Sequence, residues 1–249
     1  MYNVLISGYC GKMGRDVEKA IEETDDFEVI AGFDIASTGS DKKPIYSKIE
    51  DLDINPDIII DFSRPEATMT LLEYAIKNKI PMVIATTGFT EDDFKKLHEA
   101  SKIIPIFQAT NMSYGISVLK KLILEAYKYL DDSDIEIIES HHRRKVDAPS
   151  GTANTLAESL IEASNNKLTP VYERHSKSEK RDSNEIGMSS IRGGTVVGTH
   201  SVLFFDDYES IEITHKAESR DIFAKGSLRA ARYLLGKDNG YYNMDDIVR

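Results

Sequence analysis

This sequence has almost no cysteine and no tryptophan. Its 249 residues include one cysteine, Cys10, and no tryptophan. A single cysteine excludes a disulfide within the chain, and scarce cysteine is typical of proteins in a reducing compartment. We therefore expect a cytoplasmic protein.

Long apolar runs and an excess of basic residues are missing as well. No apolar stretch approaches the roughly 18 to 20 residues that cross a bilayer, and the N-terminus lacks the basic and apolar regions of a signal peptide. The sequence contains 31 Lys and Arg and 42 Asp and Glu, which gives a net charge of −11. The absence of long apolar runs argues against a membrane partner, and the acidic charge balance argues against a nucleic-acid partner. The cations that cluster at Arg143, Arg144 and Lys145 favour a small anionic ligand instead.

The first half of the chain alternates strand and helix signals. Continuous apolar runs such as Asp57–Phe62 and Pro81–Ala85 alternate with helical patterns such as Glu91–Ser101. This βαβ repetition predicts an α/β fold with an open parallel sheet of the Rossmann type and helices on both faces. We place this domain at residues 1–112, with residues 222–249 packing back on it.

The second half has a different character. After a helical pattern at Gly115–Tyr129 the chain is β-rich as far as His215. We predict a second, α+β domain at residues 113–221 with a mixed, largely antiparallel sheet. In its strand Thr195–Phe204, alternation predicts one shared face, made of Val196, Gly198, His200, Val202 and Phe204.

A glycine pattern joins the first strand to the first helix. Gly8, Gly11 and Gly14 form G-x-x-G-x-x-G, and glycine there lets a pyrophosphate approach bare N–H groups at a helix N-terminus. Asp34 ends the second strand 20 residues after Gly14, where an acid binds the adenosine ribose. We predict a nicotinamide dinucleotide site. Ile35 follows Asp34, so no arginine there meets a 2′-phosphate, and the sequence leans toward NADH over NADPH.

Three further segments end predicted strands of this sheet. They are Phe62–Pro65, Thr86–Gly88 and Ala109–Met112. Carboxyl ends of parallel strands are where such sheets bind ligands, so these small polar side chains suit ribose and nicotinamide contacts. Plain loop capping explains any one of them equally well.

The stretch ESHHRRKVDAPSGTA contains the candidate catalytic residues. Ser150, Gly151 and Thr152 precede an apolar helical stripe, so exposed N–H groups there attract anions, and Lys145 lies five residues upstream. His141 and His142 point to opposite faces if the preceding strand continues, and one of them can act as a proton donor. A solvated basic turn is the alternative. We expect no metal site, because adjacent histidines on a strand cannot readily ligate one ion.

Several motifs together resemble the 4-hydroxy-tetrahydrodipicolinate reductase (dihydrodipicolinate reductase) family. They are HHRRKVDAPSGTA, GYCGKMGR, DFSRPEA, ATTG and ITHKAESRDIFAKGSLRAA. The resemblance implies reduction of a small cyclic dicarboxylate with NADH or NADPH in the diaminopimelate route to lysine. It also implies a homotetramer in which hinges join a nucleotide domain to a substrate-binding and oligomerisation domain.

The resemblance assigns roles residue by residue. It makes His141 the proton donor and Lys145 the second catalytic residue. It implies substrate binding by His142, Gly151 and Thr152, and Ser150 is a further substrate-binding candidate because it lies at the same helix start. It implies cofactor binding by Gly8, Tyr9, Cys10, Gly11, Lys12, Met13, Asp34, Ala85, Thr86, Thr87, Ala109, Thr110, Asn111, Met112, Arg220 and Phe223. One departure is Ile35, where family members that favour NADPH usually have arginine.

Two other readings of the sequence compete with a reductase. A semialdehyde or aldehyde-phosphate dehydrogenase needs a cysteine nucleophile in its second domain, and the only cysteine, Cys10, lies in the glycine loop. A nucleotide-sensing module without activity is the second alternative. The paired presence of His141 and Lys145 argues against it, and a lack of turnover with NADH would favour it.

Overall fold

The computed structural model describes residues 1–36, 43–175 and 178–248. The chain divides into a first unit, Met1–Ser113 with Asp221–Arg249, and a second unit, Tyr114–Arg220. The strands are β1 (Tyr2–Ser7), β2 (Phe27–Phe33), β3 (Ile45–Tyr46), β4 (Ile58–Asp61), β5 (Met82–Ile84), β6 (Pro105–Gln108), β7 (Asp134–His141), β8 (Thr169–Val171), β9 (Glu185–Arg192), β10 (Gly198–Phe205), β11 (Ser210–Ala217) and β12 (Gly240–Tyr242). The helices are α1 (Lys12–Glu22), α2 (Pro65–Asn78), α3 (Glu91–Ser101), α4 (Tyr114–Tyr127), α5 (Gly151–Ala163) and α6 (Asp221–Leu234). Short 3₁₀ turns lie at Ile49–Asp51 and Met244–Asp246.

The first unit is built on a seven-stranded sheet in the order β12-β6-β5-β4-β1-β2-β3. Every pairing in it is parallel. The central strands are mainly apolar because both faces of the sheet are covered; Ile58, Ile59 and Ile60 are fully buried. The predicted Rossmann-type α/β fold is confirmed. The strand order reverses beside β1, which is where such sheets form a ligand crevice.

Helices cover the sheet of the first unit. α2 begins at Pro65, whose fixed φ suits the first helical position. α3 begins with a capping box between Thr90 and Asp93. These two helices pack with one face of the sheet around a buried apolar cluster that includes Leu5, Ile59 and Leu71. α1 and α6 pack against each other, and α6 contacts β4, β5 and β6.

The tail of the chain supplies an edge strand to this sheet. Gly240–Tyr242 pairs in parallel with Pro105–Phe107 of β6. The opposite edge is β3, two residues that pair with β2. Both strands are too short to show a periodic pattern in the sequence, and neither was predicted.

The second unit contains a five-stranded sheet in the order β11-β10-β7-β9-β8. β10 pairs antiparallel with β11 and β7, whereas β9 pairs parallel with β7 and β8. The predicted mixed sheet is confirmed, with two antiparallel and two parallel strand pairings. The parallel pairings follow from the connection through α5, a crossover that returns the chain in the direction of β7.

One face of this second sheet packs against α4 and α5. The apolar core there includes Ile123 and Leu156 from the helices, and Ile137, Val202 and Phe204 from the strands. Within β10 the predicted shared face is confirmed for the strand itself, since Gly198, His200, Val202 and Phe204 are buried. Val196 precedes the strand and is exposed.

Among the helices of the described part of the chain, none combines the length and apolarity that a bilayer span requires.

Candidate active site

The glycine loop between β1 and α1 packs closely against neighbouring backbone. Gly8 has φ +74°, a left-handed conformation that side chains disfavour, and a Cβ there would lie 2.5 Å from the carbonyl oxygen of Phe62. A Cβ at Gly14 would lie 2.4 Å from the carbonyl oxygen of Gly8. The loop therefore needs glycine at both positions to bring α1 against the end of β1.

The start of α1 suits a negatively charged ligand. Gly11 is its N-cap, its first turn contains no acid, and no described side chain caps it. Its first N–H groups are thus available to an anion such as a pyrophosphate. Asp34 lies beside the same loop, accepting hydrogen bonds from Cys10 N at 2.9 Å and Ala36 N at 3.0 Å. The sequence-predicted pair of glycine loop and acid is brought together, and it fits a dinucleotide.

Other predicted cofactor residues in this loop differ in exposure. Tyr9 is fully buried, with its ring against Gly32 and its hydroxyl bonded to Glu18. Burial, assisted by Glu18, raises the pKa of Tyr9 to about 12. Cys10 and Lys12 are exposed. The Tyr9 side chain is therefore part of the core, and only its backbone could reach a nucleotide.

A buried carboxylate organises the neighbouring loops. Asp61, the last residue of β4, accepts hydrogen bonds from Ser63 Oγ at 2.5 Å, Thr68 Oγ1 at 2.5 Å and Thr86 Oγ1 at 2.8 Å. The hydroxyl of Thr86 also accepts from Ser63 N at 3.1 Å. Sequence reasoning missed Asp61. Its signal was an acid that ends a continuous apolar strand.

The remaining predicted cofactor residues follow β5 and β6 or flank α6. Thr87 and Thr110 are exposed, and the side chain of Met112 is buried. The side chain of Asn111 accepts a hydrogen bond from Ser113 N at 2.9 Å. Met13, Ala85, Ala109, Asn111 and Phe223 are partly buried, and Arg220 is exposed. Arg220 is the last residue of the second unit, whereas Phe223 belongs to the first. Cofactor binding by these residues stays a prediction.

The histidine pair lies at the end of β7 in the second unit. His141 is the last strand residue and is 9% exposed, and its carbonyl accepts from Gly193 N at 3.0 Å. His142 follows the strand and is partly buried, and its Nδ1 has no partner among the described residues. A Cβ at Gly198 would lie 3.0 Å from His141 Nε2, so the bare backbone of β10 makes room for this ring.

A buried ion pair holds the His141 ring. Glu139 is 1% exposed, and its Oε2 atom lies 2.5 Å from His141 Nδ1. Arg192 donates to Glu139 Oε2 at 2.8 Å and to Oε1 at 2.5 Å. The sheet register explains this meeting, since it pairs His141 with Arg192 across β7 and β9.

The proton affinities of this group follow from its burial and charge. Burial would raise the pKa of Glu139, but hydrogen bonds from Arg192, Ser190 and His141 outweigh it and lower the pKa to about 2. Burial lowers the pKa of His141, and the Lys145 and Arg192 cations add to this, while the hydrogen bond with Glu139 opposes it. The resting site therefore holds a carboxylate beside a mainly neutral imidazole at neutral pH.

Lys145 lies in the loop between β7 and α5. Its Nζ atom is 2.8 Å from Asp147 Oδ1, and it acts electrostatically on His141. Hydrogen bonding to Lys145 is the main cause that lowers the pKa of Asp147. The Asp147 carbonyl accepts from Arg192 Nη2 at 2.7 Å, so the loop is tied to the buried ion pair.

The start of α5 is fixed by Ser150 and His200. Ser150 is 2% exposed; its hydroxyl accepts from Ala153 N at 3.2 Å and lies 2.9 Å from His200 Nε2. Ser150 N donates to Glu139 Oε1 at 3.2 Å. Because these bonds are internal, substrate binding by Ser150 stays a prediction. Gly151 is exposed and Thr152 partly buried at the same helix end.

His200 was not predicted as a site residue. It lies on β10 opposite Glu139, with its ring 5.1 Å from that of His141. Burial and the nearby His141 lower its pKa to about 4, so the ring is neutral near neutral pH. Its Nδ1 has no partner among the described residues. Glu139 and Arg192 were missed too. The signal for Glu139 was its place on the buried face of β7, in alternation with Ile135 and Ile137.

A Rossmann-type unit with a glycine loop that suits an anion, together with a unit that presents an imidazole beside a lysine, defines a pyridine-nucleotide-dependent oxidoreductase. Comparison with known proteins agrees. Residues 2–112 match the family described as dihydrodipicolinate reductase, N-terminus, and residues 115–248 match its C-terminus. The chain belongs to the 4-hydroxy-tetrahydrodipicolinate reductase family, as the sequence motifs predict.

Individual relatives support this membership over the whole chain. The 4-hydroxy-tetrahydrodipicolinate reductase of Caldanaerobacter subterraneus is 47% identical, covering 100% of this chain and 99% of the relative. That of Clostridium novyi is 42% identical, covering 100% and 99%. A dipicolinate-bound dihydrodipicolinate reductase from a Paenisporosarcina species has the same fold, with a TM-score of 0.85 at 23% identity over 99% of each chain.

Proposed function

We propose that this chain reduces 4-hydroxy-tetrahydrodipicolinate to tetrahydrodipicolinate with NADH or NADPH, in the diaminopimelate route to lysine. The observation that carries the proposal is the arrangement at the end of β7. There a nearly buried His141 is held by Glu139, close to Lys145 and to the start of α5. This arrangement supports capture of a dicarboxylate next to a proton donor.

The first unit would hold the nucleotide. The N–H groups that open α1 after its N-cap Gly11, which no described side chain caps, suit its pyrophosphate, and the Asp34 carboxylate suits the adenosine ribose hydroxyls. When bound, the reduced nicotinamide supplies a hydride. We propose a preference for NADH, because the Asp34 carboxylate would repel a 2′-phosphate and the exposed Ile35 offers it no cation.

The second unit would bind the substrate through its carboxylates. Lys145 supplies a cation, and the backbone N–H groups at Gly151 and Thr152 begin α5. His142, whose Nδ1 has no partner in the described part of the chain, would contribute a further hydrogen bond. In the free protein Lys145 pairs with Asp147. Solvent-accessible pairs of this kind are worth about 0–1 kcal/mol, so a substrate carboxylate can replace Asp147 at little cost.

His141 would donate the proton that completes the reduction. The 4-hydroxy substrate loses water to give an unsaturated cyclic imine, and addition of hydride at ring C4 leaves an enamine. The N–H bond of protonated His141 breaks as a C–H bond forms at ring C3, and the neutral imidazole then regains a proton from solvent. Glu139 favours the protonated ring, because a carboxylate stabilises an adjacent imidazolium.

We further propose a cytoplasmic homotetramer. The open face of the second sheet carries Ile138, Leu203, Ile191 and Phe205, of which Ile191 is 55% and Phe205 41% exposed. Exposed apolar side chains on a sheet face favour association with further copies of the chain. Mass measurement in solution by light scattering tests this: four chains per particle are expected, and a monomer would contradict it.

Turnover with authentic substrate tests the function. Freshly generated 4-hydroxy-tetrahydrodipicolinate should cause oxidation of NADH, and of NADPH with a higher KM. Mixtures that lack the substrate are the control. Absence of oxidation with either nucleotide would refute the proposed function and favour a nucleotide-sensing module.

A further inference from the structure

The buried carboxylate of Glu139 is unusual for its position in the fold. It lies on the core-facing side of β7, where the preceding alternate residues, Ile135 and Ile137, are apolar. An ionised carboxylate at such a place is costly unless it is paired and hydrogen-bonded. Arg192 meets this need with two donors, at 2.8 Å and 2.5 Å, in a bidentate arrangement.

The same ion pair connects three segments around the candidate site. Glu139 bonds His141 Nδ1 at the end of β7 and accepts from Ser150 N at the start of α5. Arg192 donates to the carbonyl of Asp147, whose carboxylate pairs with Lys145. The proton donor, the loop with the lysine and the helix start are thus fixed relative to one carboxylate.

We propose that Glu139, clamped by Arg192, is the positioning residue for His141. This inference rests on the proposed function. The bond from Nδ1–H to Glu139 fixes the orientation of the ring, so that when the imidazole becomes protonated the added proton lies on Nε2 and is the one transferred. Nε2 lies beside the backbone of Gly198, where a Cβ would come within 3.0 Å of it. Glu139 has no direct role toward the substrate, and its effect acts through the imidazole.

The charged groups around His141 give this proposal a directional test. Glu139 faces the ring from its own strand, Arg192 from β9, Lys145 from the loop and His200 from β10. The carboxylate favours a proton on His141, and the two cations oppose it. Loss of the Glu139 charge and loss of the Arg192 charge should therefore move the titration of His141 in opposite directions. Damage to folding alone would move both variants the same way.

The first experiment measures kcat against pH for Glu139→Gln and Arg192→Met. For Glu139→Gln we expect kcat to fall about 10- to 100-fold, less than the roughly 10²–10⁴-fold cost of removing an acid itself, with the dicarboxylate KM little changed. The alkaline limb of its profile of kcat against pH should move to lower pH by about one unit or more. For Arg192→Met the limb should move to higher pH.

Glu136→Gln is the matched control. Glu136 lies on β7 too, and it is 3.5 Å from Arg181 and 4.0 Å from Arg174, but its side chain is on the opposite face of the sheet. Glu136→Gln should leave the alkaline limb of the kcat profile at the pH where it lies in the unaltered protein. NMR titration of the His141 ring in the free protein gives the same directions without using activity. If either variant fails to fold, the direction in which the titration of His141 moves in the other variant still tests the proposal.

A double-mutant cycle separates positioning from general support. If Glu139 acts through His141, then Glu139→Gln together with His141→Gln should be no slower than His141→Gln alone. Full multiplication of the two losses, with an unmoved alkaline limb and ring titration, would overturn the proposal. Lack of turnover by the unaltered chain would refute the proposed function instead, and the NMR titration would still test the positioning of His141.

Discussion

Replacing Asp34 by alanine should weaken NADH binding without slowing the chemistry. The Asp34 carboxylate lies beside the glycine loop, where it accepts hydrogen bonds from Cys10 N at 2.9 Å and from Ala36 N at 3.0 Å. In the proposed complex it also binds the adenosine ribose. Asp34→Ala removes the ribose contact and one tie that shapes the loop.

The size of the effect follows from the kind of bond that is lost. A hydrogen bond to a charged group contributes about 1.5–3 kcal/mol, and each 1.4 kcal/mol is about tenfold in an equilibrium constant. The KM for NADH should therefore rise about 10- to 150-fold. The adenosine ribose lies far from the reacting carbon of the nucleotide, so its binding energy is uniform and kcat should change little. The KM for NADPH should rise less, since the variant no longer repels a 2′-phosphate.

The assay is steady-state oxidation of NADH and NADPH at saturating substrate. Asp57→Ala is a matched control, because Asp57 Oδ2 also accepts a backbone hydrogen bond, from Asn3 N at 2.7 Å, next to the start of β1. That variant should lose comparable stability and keep the KM of both nucleotides. An unchanged KM for NADH in Asp34→Ala, or an equal rise in both variants, would refute the assignment of Asp34.

Three further predictions concern the second unit. His141→Gln should lower kcat by about 10²–10⁴-fold and leave dipicolinate affinity nearly normal, whereas Lys145→Ala should also weaken dipicolinate binding; calorimetric titration distinguishes them, and equal affinities would contradict the division of roles. Gly198→Ala places a Cβ 3.0 Å from His141 Nε2 and should lower kcat up to about 100-fold. Gly193→Ala, whose Cβ would have no atom of the described residues within 4 Å, should keep kcat; equal rates in the two variants would contradict a role of the His141 ring in the chemistry. The pKa of His200 falls from 6.5 to about 4 on folding, so below pH 6.5 the unfolded chain binds a proton that the folded chain does not bind. The free energy of unfolding should therefore fall by up to about 3 kcal/mol as pH drops from 6.5 to 4. Urea unfolding of His200→Gln should show a smaller fall, and the same dependence on pH in both proteins would contradict this prediction.

The parallel sheet of the first unit could be predicted because its signals are local. β-branched runs such as Ile58–Ile60 are continuous where both faces are buried. The helix Glu91–Ser101 was predicted with the bounds that the structure has, because Thr90 and Asp93 form its cap. β12 could not be predicted, since Gly240–Tyr242 has no period of its own and becomes a strand only by pairing with β6.

The candidate site was predictable only in part, because local signals are visible in the sequence and contacts between distant strands are not. His141, Lys145 and Ser150 lie within one short stretch, so their spacing was visible in the sequence. Glu139 and Arg192 are 53 residues apart, and only the pairing of β7 with β9 brings them together. Strand partners in the second sheet are likewise set by tertiary packing and not by the pattern within each strand.

The most direct test of the account is the fate of an isotopic label. Reduced NADH that carries deuterium at its transferable position should convert freshly generated 4-hydroxy-tetrahydrodipicolinate into tetrahydrodipicolinate with deuterium at ring C4 and a solvent-derived hydrogen at ring C3. Mass spectrometry and NMR of the product locate both atoms. A product without deuterium at ring C4, or no product at all, would contradict the proposed hydride transfer and with it the function assigned to this chain.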